Sequence, residues 1–141
     1  MPKPPTVESN PAMAVAVSAL RAQQARMRII AENIANADST ATVAGGDPYQ
    51  RRTPVFQPKK LDNGFTGVEM TQVRPDETPF GVEYAPGNPA ADAKGYVKTP
   101  NVDALTEALD MREAQRAYEA NLNVIDTARS MQVRILDILK K

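Results

Sequence analysis

The sequence has no cysteine and no histidine. Thiolate nucleophiles, imidazole bases and the usual zinc ligands are therefore missing together, and most enzyme chemistries lose their commonest parts. Lack of cysteine also suits an oxidising compartment, where a stray thiol is a liability, although many cytoplasmic proteins share it. Net charge is absent too: seventeen basic and seventeen acidic side chains cancel, so no broad positive field would hold a nucleic acid or an anionic membrane surface. No run of about 20 apolar residues exists to span a membrane, and the N-terminus has no apolar segment of the kind that marks a secretory signal. Glycine and proline are missing only in places. All seven glycines fall between Gly45 and Gly95, and neither residue type occurs in 12–44 or 101–141.

That distribution divides the 141 residues into a helix, an irregular or β-rich middle and a second helix. The fold class expected is mainly α, with long N- and C-terminal helices pairing as a coiled coil. The divisions are a flexible lead over 1–10, an N-terminal helix over 11–38, an extended and β-rich middle with its connector over 39–100, and a C-terminal helix over 101–141.

The C-terminal helix organises the rest. Its apolar residues follow a heptad, with Ala114, Asn121, Ala128 and Ile135 at a positions and Ala117, Val124, Met131 and Ile138 at d positions, and with Tyr118, Ile125 and Leu139 widening the stripe. Only Asn121 is polar, and it either sets register and partner number or is tolerated at the seam's edge. A helix of that length would extend about 60 Å, whereas a globule of this chain length measures about 37 Å across. Part of the stripe must therefore meet another helix, from this chain or from a neighbour.

The N-terminal helix repeats the pattern. Asn10 and Pro11 read as an N-cap and first helical residue, and Met13, Val17, Leu20, Met27, Ala31 and Ile34 form its stripe. Asn36, Asp38, Ser39 and Thr40 favour leaving the helix.

In the middle, Tyr49 to Phe56 reads as a strand with Arg51 and Arg52 exposed. Asn63-Gly64 turns a hairpin between Val55 to Leu61 and Phe65 to Val73, and Phe80 to Tyr84 makes a third strand. Tyr84 to Asn101 reads as a turn-rich connector, with Asn101 capping the long helix and Asp103 and Glu107 favourable near its start. Asp76 with Glu77, or Glu69 with Glu83, could be offered as a general acid and base, but solvated loop acids are the simpler reading. Gly45-Gly46-Asp47 lacks the further glycines and the lysine of a phosphate loop. No catalytic residue, cofactor, metal site or small-molecule substrate is expected.

Ordered motifs then become recognisable. They are Ala19-Leu20-Arg21-Ala22-Gln23, Glu32-Asn33-Ile34-Ala35-Asn36-Ala37-Asp38, Pro48-Tyr49-Gln50-Arg51-Arg52, Gly95-Tyr96-Val97 with Pro100-Asn101-Val102, and Arg116-Ala117-Tyr118-Glu119-Ala120-Asn121. Together they resemble the axial rod and hook proteins of the bacterial flagellum, and the Gly-Tyr-Val and Pro-Asn-Val pair resembles the proximal-rod type. Ser18-Ala19 departs from the family's usual Ser-Gly, and Asn88 stands where a histidine is common. The resemblance implies a non-enzymatic subunit whose terminal helices pack as the inner layer of a hollow tube. It implies torque transmission through the periplasm, passage of later subunits along the channel, and export without a cleavable signal. The implied partners are other copies, homologous rod proteins, and components of the basal-body rings and export apparatus. A soluble helical-hairpin module, such as an export adaptor or chaperone, is the alternative from another class.

Overall fold

A computed structural model describes residues 10–62 and 64–140. The proline-rich lead up to residue 9, Asn63 of the expected turn, and Lys141 lie outside the described residues. The order is α1 (Pro11–Ala35), β1 (Arg52–Lys60), β2 (Thr66–Pro75), β3 (Gly81–Tyr84), β4 (Tyr96–Thr99) and α2 (Ala104–Leu139). Among the described residues, no helix is long and apolar enough to cross a membrane.

The start of α1 follows local chemistry. Asn10 Oδ1 accepts from the backbone N–H of Ala12 at 3.1 Å and of Met13 at 3.4 Å, satisfying donors that the first turn leaves open. Asn36 closes the helix, its side-chain amide donating to Glu32 O at 2.8 Å. The cap of α2 differs from expectation. Asp103, not Asn101, occupies the cap and accepts from Leu105 N at 3.1 Å, because Asn101 is committed to the middle segment.

The two helices pack antiparallel. Arg26 on α1 meets Glu113 on α2 at 3.6 Å, while Val15 and Ala19 on α1 lie beside Asn121 and Val124 on α2. Another side of α1 carries the β1–β2 ribbon, which comes close to the helix at Gly67. A Cβ there would stand 2.4 Å from Ser18 Oγ, and Val68 N donates to that hydroxyl at 3.2 Å.

Two partners on α1 decide which of its residues are covered within one chain. The stripe expected to pack contains Met13, which is buried, and Val17, Leu20 and Met27, which are half-buried, but Ala31 and Ile34 are exposed. The residues buried instead include Ala16, Ala22, Ile29, Ile30 and Asn33. A single seam would follow one stripe; a helix covered by α2 on one side and a ribbon on the other buries residues at two angles.

On α2 the heptad is covered only in part. Ala114 and Ala128 are buried, and Ala117, Tyr118, Asn121 and Ile125 are half-buried. By contrast Val124, Met131, Ile135 and Ile138 are 46%, 58%, 54% and 72% exposed. The helices have 36 and 25 residues, so α2 is eleven residues longer. Beyond Ala128 every described residue of α2 except Gln132 is exposed.

The middle holds two separate two-stranded antiparallel sheets, β1–β2 and β3–β4. The first pairs Arg52 with Pro75 and Lys60 with Thr66, with a bulge between Val55 and Phe56. Its strand begins at Arg52 rather than Tyr49. Every strand here is an edge, which is where Pro54, Pro58 and Pro75 can be accommodated. β4 lies inside the stretch read as connector. Four residues are too few to display an alternation, but Val97 is 2% exposed, Tyr96 sits edge-on to Tyr84 at 5.3 Å between ring centroids, and Gly95 at φ +89° makes the turn into the strand.

Candidate functional site

Residues 49–52 cross between the end of α1 and the start of α2, and two asparagine amides hold consecutive backbone positions there. Asn33, 1% exposed, donates from Nδ2 to Arg52 O at 2.9 Å and accepts at Oδ1 from Arg52 N at 3.0 Å. Its amide thus pairs with Arg52 as a neighbouring strand would. Tyr49 donates its hydroxyl to the same Oδ1 at 2.7 Å. Asn101 does the equivalent on the other side: Oδ1 accepts from Arg51 N at 2.7 Å, and Nδ2 donates to Asp76 O at 2.9 Å and Thr78 O at 3.0 Å. Gln50 adds a second donor to Asp76 O at 2.8 Å, and Asp76 N donates to Arg51 O at 2.7 Å.

The Arg51 side chain closes the junction. It was expected on the surface, yet it is 22% exposed and is held by three carboxylates. Glu107 takes Nε in a close ion pair, Asp76 takes Nη1 at 3.1 Å, and Asp110 lies 3.7 Å from Nη2. Glu107 is fully buried. Glu107 and Asp110 are three residues apart on α2, so they share a face and present two carboxylates to one guanidinium. Arg52 points elsewhere, to Glu32 at 3.5 Å.

These contacts correct the reading of Asp76 as a solvated loop acid. It accepts from the Thr78 hydroxyl and from Thr78 N, the latter at 2.9 Å, as well as from Arg51. Those bonds hold its carboxyl below the ordinary aspartate value, with the Thr78 hydroxyl the largest cause, then Thr78 N–H, then Arg51. A depressed value in the fold means the contribution to stability is complete above about pH 3.9 and declines as pH falls below it. Stability measured against pH in the acid range should therefore drop less steeply after Asp76→Asn. At the other extreme, burial raises the Tyr49 hydroxyl, so its contribution is present below about pH 10 and is lost as pH rises through the raised value.

Other sequence candidates are placed as follows. Glu69 pairs with Lys59 at 3.4 Å and Glu83 is exposed, so the carboxylates do not converge. Of the remaining motif residues, Pro100 is buried, Ala37 and Val102 are half-buried, and Ala35 and Asp38 are exposed. Sequence reasoning missed Tyr49, Gln50, Glu107 and Asp110 as one network with Arg51. Only the spacing of Glu107 and Asp110 hinted at it. The arrangement can do mechanical work: it ties both helix ends and the middle segment to one backbone stretch.

Comparison with known proteins points the same way. Residues 13–41 match the family described as flagella basal body rod protein, and residues 93–138 match the flagellar basal body rod FlgEFG protein C-terminal family. The chain is 49% identical to the flagellar basal-body rod protein FlgC of Agrobacterium fabrum over 89% of this chain and 91% of that protein. With the FlgC of Escherichia coli O6:H1 it shares 43% identity over 88% and 92%, and with that of Bacillus subtilis 34% over 89% and 95%. Both matched segments hold one of these two asparagines, Asn33 in one and Asn101 in the other, and together they take in nearly all of α1 and of α2. This chain belongs to the FlgC family of flagellar basal-body rod proteins.

Proposed function

We propose that this protein is a structural, non-enzymatic subunit of the proximal rod of the bacterial flagellar basal body. The observation that carries the reading is the unpartnered apolar face of α2, where Val124, Met131, Ile135 and Ile138 stand between 46% and 72% exposed. A stripe of that kind on a chain without net charge is suited to other helices rather than to water. Family membership supports other copies and homologous rod proteins as the source of those helices. In this reading segments 11–38 and 101–141 form the inner layer of a hollow periplasmic shaft, paired as a coiled coil, and 39–100 faces outward. The Asn33, Arg51 and Asn101 clamp keeps the two layers from shearing under torque. Met13, Val17, Leu20, Met27, Ala31 and Ile34 on α1 serve the same packing, together with the heptad of α2. The shaft transmits motor rotation and leaves a channel for later subunits. The subunit itself leaves the cytoplasm by the flagellar export apparatus, and ring components lie alongside.

The test is deletion of its gene in the native host with complementation by the intact chain. Loss of swimming and of rods from purified basal bodies, both restored by the chain, is the expected result. Normal rods in the deletion strain would overturn the reading.

A further inference from the structure

Five of the six methionines fall among the described residues, and their exposure differs widely. Met13 is fully buried, Met27, Met70 and Met111 are half-buried, and Met131 is 58% exposed. Met131 lies on the overhang of α2, residues 129–139, four residues before Ile135 on the same apolar stripe. The chain also has no cysteine and no tryptophan, so no thiol or indole competes for an oxidant. A thioether that water reaches is open to peroxide, whereas a buried one is shielded by its neighbours.

We propose that Met131 is a reversible oxidation site for peroxides, and that its sulfoxide makes the overhang unfit for packing. The site rests on the exposure of this one side chain; its consequence rests on the rod reading. The sulfur attacks one oxygen of hydrogen peroxide, an S–O bond forms as the O–O bond breaks, and the departing hydroxide takes the proton left on the sulfur-bound oxygen. The products are the sulfoxide and water, with the sulfur oxidised by two electrons and the peroxide reduced by two. A thiol-dependent reductase reverses the step, turning two thiols into a disulfide and releasing the oxygen as water. A flexible apolar side chain thereby becomes a polar one. On the free chain water solvates the new dipole, but under a covering helix it loses that solvation and costs free energy unless a donor meets it. Peroxide thus stops a subunit before assembly rather than unfolding it.

Trypsin cuts after Arg129 and Arg134, which places Met131 on a peptide of its own. The full chain is treated with hydrogen peroxide, and the sulfoxide at each methionine is followed by mass spectrometry. Oxidation should be several-fold faster at Met131 than at Met13, Met27, Met70 or Met111, and denaturant should erase the difference. Equal rates in the folded chain, or a preference that survives in denaturant, would overturn the site. For the consequence, Met131→Leu should complement fully because it keeps the apolar stripe. Met131→Gln, a polar stand-in for the sulfoxide, should reduce soft-agar swimming several-fold at an unchanged thermal midpoint. A lowered midpoint would place that effect in folding and overturn the consequence. Met131→Gln cells that swim as well as Met131→Leu cells also overturn it and leave the rod reading standing; loss of complementation by the unmodified chain removes the rod reading itself.

Discussion

Arg51→Ala should cost the folded chain about 3–5 kcal/mol, the range seen when one partner of a buried ion pair is removed. Glu107 is fully buried and its Oε2 has no hydrogen-bond partner among the described residues. Without the guanidinium the carboxylate is left buried and uncompensated, at a cost that exceeds the lost attraction. Asp76 and Asp110 lose the same partner. A loss of that size takes a large share of a typical domain stability of about 5–15 kcal/mol and should lower the thermal midpoint by on the order of 10 °C or more. Thermal unfolding followed by far-UV circular dichroism measures it. The double variant Arg51→Met with Glu107→Leu should recover most of the loss, because an apolar pair of similar volume needs no compensation. A single Arg51→Ala effect below about 1 kcal/mol would mean the cluster behaves as a surface ion pair.

The second large effect is expected to leave stability alone. Ile135 is 54% exposed on the overhang, so Ile135→Asp should change chain stability by no more than about 0.5 kcal/mol. In the assembly the same residue would be covered, and a carboxylate there would be desolvated without a partner. Swimming and rod assembly should be abolished while the protein is expressed and folded at the normal level. Val124→Asp, at 46% exposure, should behave alike. Soft-agar motility with thermal unfolding of the same variants separates the two effects; motile Ile135→Asp cells would remove the overhang from the assembly interface.

The contrast between these variants reflects what local pattern can and cannot carry. The start of α1 was legible because Asn10 and Pro11 carry their capping chemistry locally. The unmatched length of α2 was legible because helix length follows directly from residue count. Arg51 was not legible. Its partners Asp76, Glu107 and Asp110 lie 25 or more residues away in sequence, and periodicity says nothing about which distant carboxylates a fold brings together. Asn101 was misread as a cap because asparagine before a helix has that local preference; a tertiary bond to Arg51 N at 2.7 Å prevailed, and Asp103 took the cap. The burial of Ala16, Ala22 and Ile30 on α1 was not legible for a related reason, since a pattern written for one partner does not describe a helix with two. β4 was missed because Tyr96–Thr99 is held by its pairing with β3 and by the buried Val97, not by a run long enough to alternate.

In the basal body the exposed apolar end of α2 should be covered by neighbouring helices. Thiol labelling of Ile135→Cys tests it most directly, comparing the purified chain with intact basal bodies isolated from motile cells that carry only this variant. Rapid modification of the free chain and strong protection in basal bodies is the result the account requires. Equal labelling in both, with rods present, would contradict it.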